Sequence, residues 1–364
     1  MRATEAGSAR RHLEAIAGAP RPAGGPAEAR ARAYCAQVLS DAGFTLAEER
    51  FSYSAFPGRV GTPLLGVTAA ALFATAGHLG WRGQGGAALV VLLLTAQVAV
   101  TVGWWLGRHG VLSLPWMRAS SINLTATRGT PSMWLVAHLD SKSQPIPILA
   151  RVLGVVGVLV TLVLAVAVAA LQAGGRNVTW LWPWITAIGV LCSLPVAASV
   201  VGEGSHGALD DASGVATVLI VAQTLPSHAP VGVVLTSAEE LGLAGARAWV
   251  RARAAGRAIN VDGVDDAGDV RATWTNRRPR ELLDALLASA AGAGTAVRVG
   301  RLVPGALLDA VAFADGNWEI VTVSRGTLRT VARIHTSRDT LEHLDGRGVA
   351  LVASIIREAV STPA

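Results

Sequence analysis

Five short phrases in this sequence carry residues able to hold or activate a divalent cation. Ala137-His138-Leu139-Asp140-Ser141 ends an apolar run with an imidazole and a carboxylate two positions apart. A metal-bound imidazole needs a carboxylate or carbonyl at its other ring nitrogen, so Asp140 can orient His138. The phrase GALDDASG (207–214) sets adjacent carboxylates, Asp210 and Asp211, between small residues. Such a pair can cap a helix or hold one carboxylate at a fixed angle. Glu239-Glu240 lies between the Val-rich run Val231–Thr236 and Gly242-Leu243-Ala244-Gly245, which suits a general base beside a ligand. Asp262 closes Ala258–Val261, with Asp265 and Asp266 as competing carboxylates, and His335 opens the polar phrase HTSRDT (335–340). Each phrase alone has an ordinary structural explanation. Together they form the nitrogen and oxygen donor set that first-row divalent metals take.

Donors so scattered need a scaffold that gathers them. Outside the most apolar stretches, helical and strand-like runs alternate. Helices are expected at Ala27–Ala42, from Asp211 to Leu225, at Ala244–Ala255, Arg280–Ala291 and Gly346–Val360. Strands are expected at Glu48–Tyr53, Ser121–Thr127, Ser132–Ala137, Val231–Thr236, Ala258–Val261, Ala296–Leu302 and Trp318–Ser324, with a further β-like run at Thr330–Ile334. This alternation predicts an α/β three-layer sandwich around a mostly parallel mixed sheet. In such sheets ligands collect beyond the carboxyl ends of the strands. His138, Asp140, Glu239, Glu240, Asp262 and His335 all follow apolar runs, as that rule requires.

The remaining sequence is unusually apolar. Mean hydropathy is +0.45, 51% of residues are hydrophobic and only 15% are charged, against about a quarter in ordinary globular domains. Four charge-free windows account for this: Pro63–Gly80, Ala87–Leu106, Val152–Leu171 and Trp180–Val201. Each approaches the roughly 20 residues that cross a hydrocarbon core. Trp81, Trp104, Trp105 and Trp116 flank the first pair, and Trp180, Trp182 and Trp184 the second, as an aromatic belt would. Short connectors at 82–85 and 173–177 join the windows as two transmembrane hairpins. The domain boundaries follow: hydrophilic segments 1–60, 109–148 and 203–364, interrupted by hairpins 61–108 and 149–202. An even number of crossings returns every hydrophilic segment to one side. Both hairpins should therefore leave and re-enter on one face, close to the site.

That side carries Arg59, Arg108, Arg118, Lys142 and Arg151 near the spans, against Arg82 and Arg176 on the other. The bias predicts a multi-pass integral membrane protein of a bacterial inner membrane, with its hydrophilic bulk in the cytoplasm and the lipid bilayer as a partner. The composition, rich in arginine, alanine, glycine and valine, is that of GC-rich bacterial coding. The net charge of +6 does not point to nucleic acid, because the arginines are scattered and the longest basic cluster is Arg277-Arg278 with Arg280. Two cysteines, Cys35 and Cys192, are too few for a disulfide framework or a cysteine-based zinc site. The spans hold no formal charge, only His78 and Gln97, so they read as an anchor and not a transport path.

Taken in order, AHLDS (137–141), GALDDASG (207–214), SAEELGLAG (237–245), NVD (260–262) and HTSRDT (335–340) resemble the M28 family of zinc metallopeptidases, and Ala19–Gly24 is similar to that family's opening. The resemblance implies a zinc-exopeptidase-like catalytic domain that binds two Zn2+ per chain, or other divalent metals. Asp210 would bridge the two ions, His138 and Asp262 would complete one site, and Glu240 and His335 the other. Glu239 would be the general base and Asp140 the partner of His138. Two such ions can polarise a scissile carbonyl and activate a bridging hydroxide. The implied activity is aminopeptidase cleavage of a peptide substrate. The alternatives are a catalytically inactive membrane scaffold of the same fold and a single-zinc aminoacyl cyclase. The chain departs from the family pattern in two places. His206 stands where a proline is common, and Leu307–Val311 lacks the histidine often found beside its aspartate. No tyrosine follows Tyr53, which excludes a phenolic oxyanion donor from the C-terminal half. The substrate residue preferred and the oligomeric state are not readable from the sequence.

Overall fold

The computed structural model describes residues 3–303 and 305–361. In chain order the elements begin with α1 (Ala3–Ile16), α2 (Pro26–Asp41) and β1 (Thr45–Ser54). Next come α3 (Thr62–Trp81), α4 (Gly85–Trp105) and the single turn α5 (Val111–Ser113), then β2 (Arg118–Thr127) and β3 (Met133–His138). Helices α6 (Ile148–Ala173) and α7 (Trp182–Ala197) follow, then α8 (Ser213–Thr224), β4 (Val231–Thr236), α9 (Ala244–Arg251), β5 (Arg257–Val264) and β6 (Asp269–Trp274). The chain closes with α10 (Arg280–Gly292), β7 (Val297–Arg301), α11 (Asp309–Asp315), β8 (Glu319–Gly326), α12 (Leu328–Arg333) and α13 (Arg347–Ser361). These elements form two compact units. One comprises residues 1–53, 118–143 and 203–364, the other residues 54–117 and 144–202.

The first unit is built on an eight-stranded mixed sheet of order β1-β2-β4-β3-β5-β8-β6-β7. Its centre is parallel: β3 pairs with β4 and β5, and β5 with β8. β2 and β6 run antiparallel to their central neighbours β4 and β8. The central strands are buried on both faces, which is why they are rich in Val, Leu and Ile. Strand alternation divides them between two cores. Leu135, Ala137, Val233, Leu235, Ile259, Val261, Val321 and Val323 pack with α1, α2, α8, α10 and α13. Val136, Val234, Ala258 and Ile320 point the other way, against Trp249 of α9 and Phe313 of α11. The result is the expected three-layer α/β sandwich.

Local differences from the sequence reading have physical causes. Thr330–Ile334 looks β-like because it is rich in branched residues, yet it falls in helix α12. Thr327 starts that helix with a reciprocal capping box to Thr330, and two satisfied end groups outweigh a weak intrinsic preference. Strand β6 escapes the periodicity because Arg271 and the neighbouring polar residues mask a short alternation, and α11 is only seven residues long.

The second unit is a four-helix assembly of α3, α4, α6 and α7 around Phe73, Leu92, Trp182 and small residues such as Ala76, Ala88, Ala165 and Ala169. Its four candidate spans, Pro57–Trp81, Gly85–Ser113, Ile148–Ala173 and Thr179–Ala197, have mean hydropathies of 1.5, 2.1, 2.9 and 1.5. They are long and apolar enough to cross a membrane. Leu, Val and Trp side chains cover the outside, including Leu94, Val100, Leu153 and Val163. Small residues let the helices approach closely: at Gly189 of α7 a side chain would enter the space of the Phe73 ring. Six of the seven span-flanking tryptophans are exposed, but Trp182 is buried at 1% exposure. Its indole Nε1 donates to Gln172 Oε1 at 2.8 Å, and Gln172 Nε2 donates to Gly80 O at 2.8 Å. Trp182 is therefore a core residue of the bundle and not part of an exposed belt.

Candidate active site

The carboxyl ends of β3, β4 and β5 bring His138, Glu240 and Asp262 together with Asp210, from the turn before α8, and His335. His335 follows helix α12 and not the strand expected from the sequence. β3 ends on His138, which is buried. Its Nε2 lies 3.0 Å from Asp210 Oδ1, and its Nδ1 lies 3.1 Å from the Asp140 carbonyl oxygen and 3.6 Å from Asp140 Oδ1. The other Asp210 oxygen, Oδ2, lies 3.0 Å from His335 Nε2, which is also 3.0 Å from Glu240 Oε1. Donor atoms of His138, Asp210 and Asp262 fall within 4.8 Å of one another, as do those of Asp210, Glu240 and His335. Asp210 belongs to both groups. All five donor positions expected from the sequence therefore converge. Asp265 and Asp266 do not join them. Asp265 binds Thr330 Oγ1 and Arg333 Nη2, each at 2.5 Å, and Asp266 accepts from the backbone of Asp345, Gly346 and Gly348.

Backbone hydrogen bonds fix each donor. Gly207, at φ 59, opens the turn that presents Asp210, and the Asp210-Asp211 peptide bond is cis. A left-handed φ costs glycine little. Asp339 accepts from the amides of Leu209 at 2.7 Å and Asp210 at 3.2 Å. Asp211 accepts from the amides of His138, Gly214 and Gly263 at 3.2, 3.0 and 3.1 Å, joining β3, α8 and β5. Asp140 accepts from the amides of Glu239 and Glu240 at 3.1 and 3.2 Å. Its carboxylate thus positions the Glu239-Glu240 pair as well as facing His138. The loop behind that pair is held by Asn123, which accepts from Ser237 N at 3.0 Å and donates to Gly245 O at 2.9 Å. Ser237 also donates to the buried carboxylate of Glu28, which burial and nearby Asp140 push up to about 7.

The two sides of the second hairpin's insertion point are tied by Arg21, which is fully buried. Its Nε donates to Leu139 O at 2.7 Å, Nη1 to His206 O at 2.5 Å and Nη2 to Gly207 O at 2.9 Å. Ser141 Oγ donates to Ser205 O at 2.9 Å, and Gly204 N donates to Ser143 Oγ at 2.8 Å. His138 and Asp210 therefore meet although a hairpin separates them in sequence.

The electrostatics are those of crowded carboxylates. Burial opposes the imidazolium of His138, but Glu239, Asp140 and Asp210 hold it well above the usual histidine range. Burial also opposes ionisation of Asp210, and the two histidines outweigh it and hold the carboxyl well below its usual value. Glu240 is held at about 2, because His335 and Lys142 outweigh the effect of burial. Glu239 is pushed well above its ordinary value by burial and by Glu240, Asp309 and Asp262. Burial and Asp210 raise Asp262 to about 7. Buried carboxylates outnumber buried cations, an imbalance that a divalent cation corrects. Glu240 Oε1 is moreover buried, with the His335 ring nitrogen at 3.0 Å outside good hydrogen-bond geometry. Donor chemistry and this poorly satisfied oxygen both fit a metal.

Several contributors carry no signal in the sequence that names their partners, although Arg21, Asp339 and Asp309 lie in phrases that stand out. Arg21, Glu28 and Asp339 act on backbone atoms or hydroxyls far away in the chain. Asp309 accepts from Thr236 Oγ1, and its Oδ1 is buried without a partner; burial raises its carboxyl to about 6. Its segment stood out in sequence, but its place beneath the β4 terminus did not. Lys142 Nζ lies 2.6 Å from Glu240 Oε2.

Residues 188–360 match the model of peptidase family M28. The fold is similar to the aminopeptidase from Aneurinibacillus sp. strain AM-1, at 15% identity over 98% of this chain and 93% of that chain, with a TM-score of 0.57. It is similar to BSAP, a zinc aminopeptidase from Bacillus subtilis, at 14% identity over 98% and 94%, with a TM-score of 0.57. It is also similar to the Bacteroides thetaiotaomicron glutaminyl cyclase bound to N-acetylhistamine, at 13% identity over 99% and 98%, with a TM-score of 0.58. Among curated proteins, no sequence matches this one.

Proposed function

We propose that this chain, whose residues 188–360 belong to peptidase family M28, is a membrane-anchored dinuclear zinc exopeptidase, acting as an aminopeptidase on short peptides. The observation that carries the reading is Asp210, whose two oxygens each face a different histidine at 3.0 Å. His138 and Asp262 would hold one ion with Asp210, and Glu240 and His335 the other. When bound, the pair would supply Lewis acidity toward the scissile carbonyl and lower the pKa of water. Glu239, a buried carboxylate beside the donors, takes the proton from the attacking water and returns it to the leaving amine. Asp140 keeps Glu239 in register through its amide and faces the ring of His138. Asp339 and Asp211 hold the turn that presents Asp210, so that no donor has to reorganise when substrate arrives. The four spans serve as the anchor, with the site on the cytoplasmic side.

The test is zinc content and peptidase activity of the purified protein. About two zincs per chain are expected, with aminoacyl-anilide cleavage abolished by chelation. Glu239→Gln should lower kcat about 10²- to 10⁴-fold with zinc content unchanged. Stoichiometric zinc with no peptidase activity would overturn the proposal. The glutaminyl cyclases among the structural relatives motivate a second reading, a single-zinc cyclase. The intact His138 and Asp262 pair supports the two-metal form. One zinc per chain with cyclisation of glutaminyl peptides would select the cyclase.

A further inference from the structure

The chain contains one lysine, Lys142, among 31 basic residues, the others being arginine. That lysine stands at the candidate metal cluster. Its backbone is fixed on both sides, because Ser141 N donates to Arg21 O at 2.9 Å and Ser143 Oγ accepts from Gly204 N at 2.8 Å. Its Nζ lies 2.6 Å from Glu240 Oε2, while Glu240 Oε1 faces only the other candidate ligand, His335, at 3.0 Å and outside good hydrogen-bond geometry. An ammonium is a compact point charge that occupies one carboxylate oxygen. A guanidinium presents a planar fork that covers both. In a chain that uses arginine everywhere else, the ammonium leaves Oε1 open.

We infer that Lys142 restricts Glu240 to single-oxygen coordination and makes the Asp210–Glu240–His335 site the weaker of the two metal sites. A fixed positive charge beside one ligand repels a dication and draws donor density from that ligand. The charges acting most strongly on His138 and Asp262 are carboxylates and imidazoles, not a lysine or arginine. The second ion is then the exchangeable one, and the activity of the enzyme follows the supply of free metal.

This inference rests on the two-metal reading, and zinc titration of the chelator-stripped, full-length protein in detergent separates the two. Wild type should bind two zincs with dissociation constants at least tenfold apart. In Lys142→Met and Lys142→Gln the weaker step should tighten at least tenfold while the tighter step stays in place, which also reports an intact fold. Lys142→Arg should weaken or abolish the second step. Two zincs with a weaker step unmoved or further weakened in Lys142→Met and Lys142→Gln would overturn the role of Lys142 alone. A single zinc per wild-type chain would overturn the two-metal reading and this inference with it.

Discussion

A buried guanidinium is stable only if its donors are matched. Arg21 meets this condition with the carbonyl oxygens of Leu139, His206 and Gly207. Replacing it leaves those oxygens buried and unpaired, at about 1–3 kcal/mol each. Arg21→Met should therefore destabilise the sheet-bearing unit by about 3 kcal/mol or more, read as a lowered melting temperature in detergent. Arg347→Ala, which removes an exposed pair with Asp345, should leave the melting temperature in place. An unchanged melting temperature in Arg21→Met would refute the clamp. The same residue shows why part of the site was illegible. His138, Asp210, Glu240, Asp262 and His335 were readable only jointly, through five phrases in order and their resemblance to a known family, because each phrase alone has an ordinary structural explanation. Arg21, Asp211 and Asp339 act on amides and carbonyls, which every residue possesses, so nothing in the sequence names their partners.

At the level of elements, the strands that position the site were the most readable part, because burial on both faces leaves runs rich in Val, Leu and Ile in β3, β4, β5 and β8. The elements that escaped were short or governed by their ends, as with α12 and its Thr327 cap. Among the apolar helices, length and composition were visible but the inward face was not. Hydrophobicity is nearly uniform around each span, so Trp182 read as a belt residue although it faces Gln172. The packing makes a direct prediction. Gly189→Leu should drive a side chain into Phe73 and cost about 1–3 kcal/mol, seen as a lower melting temperature of the detergent-purified protein. Gly103→Leu, where a side chain meets open space, should not. Equal melting temperatures in the two variants would contradict the packing of α3 against α7.

For the whole molecule, the proposed four crossings would return all three segments of the sheet-bearing unit to one side of a bilayer. The proposed side, read from the arginine distribution, is the cytoplasm. A reporter active only in the cytoplasm should work when fused after Ala364, and one active only outside should work when inserted near Gly174. The opposite pattern would reverse the orientation.

The clamp around Arg21 also sets an order of events during synthesis. His138 leaves the ribosome before α6 and α7, and Asp210 leaves after them. The guanidinium that joins the two sides, made near the start of the chain, must wait for the carbonyls of His206 and Gly207. His335 comes later still. The cluster can close only after both hairpins and most of the remaining chain exist, so a half-made protein carries no assembled site. Synthesis of His335 is in this sense a licensing step, written into the order of the residues.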